Sequence, residues 1–229
     1  MIKNNFMKVY YEVFFYTMKK EEVYIVGAGT YGEVMYELAE LLGYTIEGFY
    51  DENDQKKGKT VMNSKVLGRL SELEEHDIKG KKFVIAIGKN STRNELMDKI
   101  NKFGGETPTL IHPSAIISPS AEIGKGVYIH ANAYIWTKVK IGNHCIISPK
   151  VIIAHHTSVG KACLISTMSA VGASVTIENE VFIGMGSTIM TGVSCIGGNT
   201  TIGAGSVVIK DVDDYSVYAG VPAKRLRSI

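Results

Sequence analysis

The sequence predicts an α/β unit of the βαβαβ type followed by an all-β solenoid. Two patterns predict it. Ile or Val stands at every sixth position from 111 to 189, fourteen times without a miss. Upstream, β-rich runs alternate with a glycine turn and a helical period between residues 23 and 88. The chain has 229 residues, which allows two modest domains.

The first twenty residues, "MIKNNFMKVYYEVFFYTMKK", are aromatic and basic. They lack the apolar centre and small-residue cleavage site of a signal peptide, so they read as a poorly ordered tail. The α/β unit is expected over 21–108. "VYIV" forms its first strand, Val23 to Val26. Gly27, Gly29 and Gly32 then complete GxGxxG, and a helix runs from about Tyr31 to Leu42. "IEGFYD" is a second strand ending at Asp51, and "KFVIAIG" a third ending at Gly88. The turn gathers backbone amides at a helix N-terminus, where an anion is favoured. An acidic residue after the second strand commonly accepts a nucleoside proton. Only one βαβαβ half is present, enough for a mononucleotide rather than a dinucleotide. A nucleotide-like fold with an empty site is the bland alternative.

The solenoid is expected over 109–212. Ile and Val together number 26 and 21, about a fifth of the chain, so fourteen consecutive hits are not chance. A step of six fits neither a helix nor an alternating strand; it fits short strands with a turn per hexad. Gly follows the repeat residue at 124, 142, 160, 172 and 184, where a turn benefits from a missing Cβ. Four places after the repeat residue come small or β-branched side chains, Cys145 and Cys163 among them. Three hexads make one triangular coil, so residues 18 apart stack about 4.8 Å from one another. Cys145 and Cys163 therefore read as a stacked core pair. The frame slips by one at Cys195. Residues 213–229 are left as a C-terminal tail.

Charge and cysteines narrow the function. A net charge of +2, with 21% charged residues, favours neither nucleic acid nor a membrane surface. No run approaches the length of a membrane span. Three cysteines without a CxxC pair argue against a zinc knuckle or redox motif and suit a cytoplasmic setting.

"IIAHHTSVG" at 152–160 holds two adjacent histidines in a run with little other acid–base chemistry. A histidine on a solenoid wall is often only surface. Adjacent strand residues point to opposite sides. No third ligand is spaced to help, so no metal is expected.

The hexad run over 111–212 resembles the hexapeptide-repeat acyltransferases, which implies a left-handed parallel β-helix. "GAGTYG", Asp51, "AIGKNSTR" and "IHPSAIISPSAEIG" together resemble one subfamily from residue 22 onward. These are the bacterial sugar acetyltransferases with an N-terminal half-Rossmann nucleotide-sugar domain. "YAGVPAKRLR" is similar to their closing segment. The resemblance implies acetyl-CoA as cosubstrate, a nucleotide-sugar acceptor and a homotrimer. It places the acceptor on Gly27, Gly29, Thr30, Tyr31, Gly32, Asp51, Gly88 and Asn90. It makes His155 the general base and puts His156 where the relatives carry an acid. Ala173, 18 residues on, would supply an N–H to the oxyanion. Lys224 and Arg225 would lie near the coenzyme's phosphates, a solvated basic tail being the alternative. Ser148 and Leu164 stand where close relatives carry Asn and His. Three functions stay open: N-acetylation of a nucleotide-linked amino sugar, O-acetylation of a sialic-acid-type or other sugar hydroxyl, and a non-catalytic trimeric scaffold.

Overall fold

The computed structural model describes residues 21–229. The expected N-terminal tail lies outside the described residues. Among the described residues the first element is β1 (Glu22–Val26), a five-residue strand with Val23, Ile25 and Val26 buried. A helix, Thr30–Leu41, turns Met35, Tyr36, Leu38 and Ala39 inward, the spacing of one apolar helical face. β2 (Thr45–Tyr50) returns parallel to β1. Here the structure adds what periodicity did not show. β3 (Thr60–Val61) and β4 (Ser64–Gly68) form a hairpin, and a one-turn helix, Glu75–Ile78, leads to β5 (Phe83–Ile85). The sheet order is β3-β4-β2-β1-β5. The second crossover of the expected βαβαβ unit is thus mostly a hairpin. A last helix, Asn90–Lys102, follows.

From Leu110 the chain winds into two-residue strands, each paired in parallel with the strand 18 residues away, as Ile135 with Ile153. Three walls result. The first runs from Leu110–Ile111 to Thr201–Ile202, the second from Ile116–Ile117 to Val207–Val208, the third from Glu122–Ile123 to Cys195–Ile196. The repeat Ile and Val residues fill the interior between them. Cys145 and Cys163 lie in that core, each thiol donating 3.0 Å to a carbonyl, of Gly160 and Glu178. The slip appears as Thr176 pairing with Cys195, 19 residues on. Past the first two corners, most corners are two-residue turns whose second residue is left-handed. Asn132, Lys138, His144, Lys150, His156, Ala162, Met168, Ser174 and Glu180 have φ between 55 and 63°. Side chains accept this conformation at a cost of about 1 kcal/mol or more each, offset by the parallel ladder it closes.

The last residues are not a loose tail. Ser216–Gly220 pairs in parallel with Thr201–Ile202 and turns back as Ala223–Ser228, extending the first wall.

The α/β unit sits on that same wall. Leu110, Tyr128 and Ile146, on its outer row, are buried in the core of the N-terminal half. The Tyr128 hydroxyl accepts from the Ile85 N–H at 2.7 Å. Arg93, 0% exposed, fastens the two halves. Its guanidinium donates to the carbonyls of Ile87 and Gly88 on one side and of His144, Ala162 and Cys163 on the other, between 2.9 and 3.2 Å. Asn90 completes the joint: its Oδ1 accepts from Arg93, and its Nδ2 donates to the carbonyls of Glu180 and Val181. Burial lowers the Arg93 pKa, yet five carbonyls hold the charge in place. Arg93→Met should therefore cost roughly 3 kcal/mol or more, because it orphans several buried acceptors at once. Arg93→Lys should not restore it, since an ammonium lacks the planar fork. Thermal unfolding of the two variants checks both.

Candidate active site

Three glycines shape the turn after β1, each for a different reason. Gly27 has φ +103°, and a Cβ there would stand 2.9 Å from the Ala86 carbonyl. A Cβ at Gly32 would collide with the Gly27 carbonyl, so Gly32 serves the close approach of helix to strand. Gly29 has ordinary extended backbone and nothing within 4 Å of a would-be Cβ. Its missing side chain leaves open space rather than relieving strain. Gly29 is also the N-cap of the first helix and supplies no side-chain cap, so that N-terminus stays available.

Asp51 is tied to this turn. Its Oδ2 accepts from the Ala28 N–H at 2.9 Å and from Lys56 Nζ at 2.7 Å; its Oδ1 accepts from the Asn53 N–H at 2.9 Å. Burial pushes its pKa up, but the Lys56 bond and the two backbone N–H groups outweigh it, and the net shift is downward. Lys56 also donates to the Ala28 carbonyl. Only Oδ1 keeps a lone pair for anything else. Sequence reasoning missed Lys56, whose spacing from Asp51 carries no recognised pattern.

The other turn residues divide. Thr30 is exposed at the helix start. The Tyr31 hydroxyl lies 3.0 Å from His130 Nε2, on a β-helix corner. Burial, then the neighbouring His112, pushes the His130 pKa down to about 4, so this imidazole is neutral at pH 7. Gly88 lines an open cleft with Lys89, Phe182, Asn199 and Tyr215. Asn90 borders the same cleft, but all its side-chain bonds go to the interdomain joint. That binding candidate is therefore a structural brace.

His155 and His156 occupy a turn, not a strand, at the corner between the second and third walls. Strand reasoning would have pointed them apart. Instead their Nδ1 atoms meet at 3.1 Å, with the rings edge to face. Both are exposed, and His156 is the left-handed residue of its corner. One Nδ1–H donates to the other ring's lone pair. Donation from His155 leaves its Nε2 with a free lone pair facing outward. Ala173 stacks one coil further on. Its N–H donates to Thr191 Oγ1 at 3.3 Å, a long bond to an exposed hydroxyl that a ligand oxygen could share. Among the described residues no three His, Cys, Asp or Glu side chains gather as metal ligands.

The structure does not bring everything together. The α/β unit covers the first wall, and the histidine corner lies opposite it. Lys224 and Arg225 sit in the last strand of the first wall's terminal hairpin, four strands beyond Leu164–Ile165. Arg225 is held by Asp213 at 3.4 Å and by Ser228 at 3.1 Å.

The comparisons with known proteins divide the chain at the same joint. The PglD N-terminal domain family model matches residues 22–100, and the GMPPB C-terminal domain model matches 105–192. The fold is similar to that of PerB from Caulobacter crescentus, solved with CoA and GDP-perosamine: TM-score 0.83, 31% identity, 92% of this chain and 100% of that one. The acetyltransferase domain of PglB from Neisseria gonorrhoeae gives TM-score 0.69 at 28% identity, over 90% of this chain and 100% of that one. The galactoside O-acetyltransferase of Escherichia coli is 29% identical over 76% of this chain and 78% of its own length. The chain belongs to the hexapeptide-repeat sugar acetyltransferases. It is an enzyme of acetyl transfer, and the non-catalytic scaffold is set aside.

Proposed function

We propose that the protein moves the acetyl group of acetyl-CoA to the amine of a nucleotide-linked amino sugar, with His155 as general base. The observation that carries this reading is the joining, in one chain, of a sterically open glycine turn with an exposed histidine pair. The complex of PerB with CoA and GDP-perosamine supports both substrates. Binding of the nucleotide belongs to the α/β unit. Gly29 leaves room for phosphate, the uncapped helix N-terminus offers N–H groups, and Asp51 Oδ1 offers one acceptor.

At the corner, the amine nitrogen attacks the thioester carbonyl and passes its proton to His155 Nε2. The C–N bond forms and the carbonyl oxygen gains charge, which the Ala173 N–H receives. The C–S bond then breaks, and the imidazolium returns the proton to the departing thiolate. His156 fixes the His155 tautomer through the Nδ1 contact and shares the imidazolium's proton. An imidazole in this place stabilises the imidazolium less than a carboxylate would.

The same reading takes the winding as left-handed and the working unit as a homotrimer. Support comes from the walls. The first is covered by the α/β unit. The third shows a polar outer row, Glu122, Lys140, Ser158 and Thr176. The second shows Ile116, Tyr134 and Ile152, exposed by 61, 40 and 42%. A neighbour docked on the second wall would border the histidine corner, and its acceptor turn could serve that corner. O-acetylation is the second reading, favoured by the similarity to galactoside O-acetyltransferase.

The test is a thiol-release assay with acetyl-CoA against UDP-, GDP- and dTDP-linked 3- and 4-amino sugars, with galactosides and free sialic acid alongside. Turnover of a hydroxyl acceptor alone would overturn the amine assignment. Two variants sharpen it. Gly29→Val should fold as the wild type, because the Cβ meets nothing, and raise the acceptor KM while sparing that of acetyl-CoA. Asp51→Ala should do the same, with some loss of thermal stability because Ala28 N–H and Lys56 both lose their partner. Loss of acetyl-CoA affinity with an unchanged acceptor KM would refute the assignment of the turn.

A further inference from the structure

One aromatic group stands beside the histidine corner and has no part in the scheme so far. Trp136 is the sole tryptophan of the chain. It ends the strand Tyr134–Ile135 one coil before His155, its N–H held by the Ile153 carbonyl at 3.1 Å. The residues stacked above and below it at steps of 18 are Ser118, Ala154 and Gly172. The row goes on to Met190 and, past the slip, to Ile209, so the indole has only small neighbours on either side of it, from Ser118 to Gly172. The indole is 37% exposed. The rest packs on Tyr134, with centroids 5.3 Å apart, and toward the His155 ring at 6.2 Å.

The level along the solenoid says which substrate it faces. His155 has Trp136 on the side of the earlier coil and Ala173 on the side of the later one. The N–H that would receive the acyl oxygen lies on the later side. The glycine turn touches the β-helix through Tyr31 and His130, and His130 belongs to the same coil as Trp136. At this contact the glycine turn and the indole share one level. We propose that Trp136 is the platform on which the acceptor's sugar ring stacks, setting its nucleophilic edge against His155. A hexose offers an apolar C–H face that suits an indole, and a protonated amine on that ring gains from the same π face. This inference rests on the reading of the reaction given above.

The sole tryptophan makes its own probe. The full-length wild-type protein is titrated with the UDP-, GDP- and dTDP-linked amino sugars, with the three free nucleoside diphosphates and with CoA, following indole emission. Turnover is measured in parallel. The nucleotide sugar that turns over should quench or shift the emission, and the diphosphates and CoA should not. Trp136→Ala should raise the acceptor KM at least about tenfold and leave the KM of acetyl-CoA unchanged. Trp136→Phe should return within a few fold. Light scattering on both variants should show the wild-type mass. Emission that follows CoA, with the acetyl-CoA KM raised in Trp136→Ala, would move the indole to the acyl side and overturn the proposal. So would unchanged KM values, or a changed mass that Phe does not restore, which would make it an assembly contact. Failure of the wild type to acetylate any amino sugar would overturn the reading of the reaction, and this inference with it.

Discussion

His155→Ala lowers kcat by at least about 10²-fold, the lower range for loss of a general base, and leaves the fold unchanged. The side chain is exposed on a turn and fills no part of the core. Its carbonyl, which accepts from the Ser174 N–H, is kept by alanine. Steady-state kinetics with circular dichroism would check both halves. Near-full turnover in the variant would remove His155 as the base and make His156 the candidate. The neighbour can be changed in two directions. His156→Ala loses the Nδ1 contact and should lower kcat about tenfold with little change in KM. His156→Glu should raise kcat above the wild type, because a carboxylate stabilises the imidazolium that a neutral ring only shares. The corner accepts the change: Glu180 stands at the equivalent left-handed position, with φ 58° against 61° at His156.

Tyr134→Arg combined with Ile152→Arg converts the assembly to monomers and abolishes turnover. Two charges on the exposed apolar row of the second wall cannot be buried without partners. Three 25.0 kDa chains make a trimer of about 75 kDa, and the variant should fall to a third of that in light scattering. Activity should fall with mass across a dilution series of the wild type as well. The reason is placement. Within one chain the glycine turn lies on the side of the first wall and His155 on the opposite corner, so on the proposed reaction the two would meet between neighbours. A fully active monomer would sink the trimer and the shared site together.

The solenoid was legible because its physics is periodic. One inward residue per hexad must be apolar and β-branched, and a slip in that series marked the extra residue that pairs Cys195 with Thr176. The glycine turn was legible for a similar reason: tight geometry demands fixed spacing, and Gly27 and Gly32 meet that demand. The joint between the halves was not. Arg93 and Asn90 bind carbonyls, which every residue has, so nothing in the partner sequence announces them. The histidine pair was half legible. Its hexad position could be counted, but the Nδ1 contact depends on a left-handed corner that places adjacent side chains together. Trp136 was not legible at all, because its place beside His155 appears only once residues 18 apart are stacked.

The joint made by Arg93 has a consequence for which atom of the acceptor reacts. A nucleotide site carried on a hinge could deliver substrates of several lengths. Here five carbonyls from both halves grip one guanidinium, and Asn90 and Tyr31 pin the same unit at two further corners. In a closed ring of identical subunits, the span from the phosphate turn of one to the histidine of the next is then a constant. On the proposed reaction the enzyme would work as a calliper: it would read how far the nucleophile stands from the diphosphate, and a sugar with its amine one ring carbon away would present that amine outside the jaws.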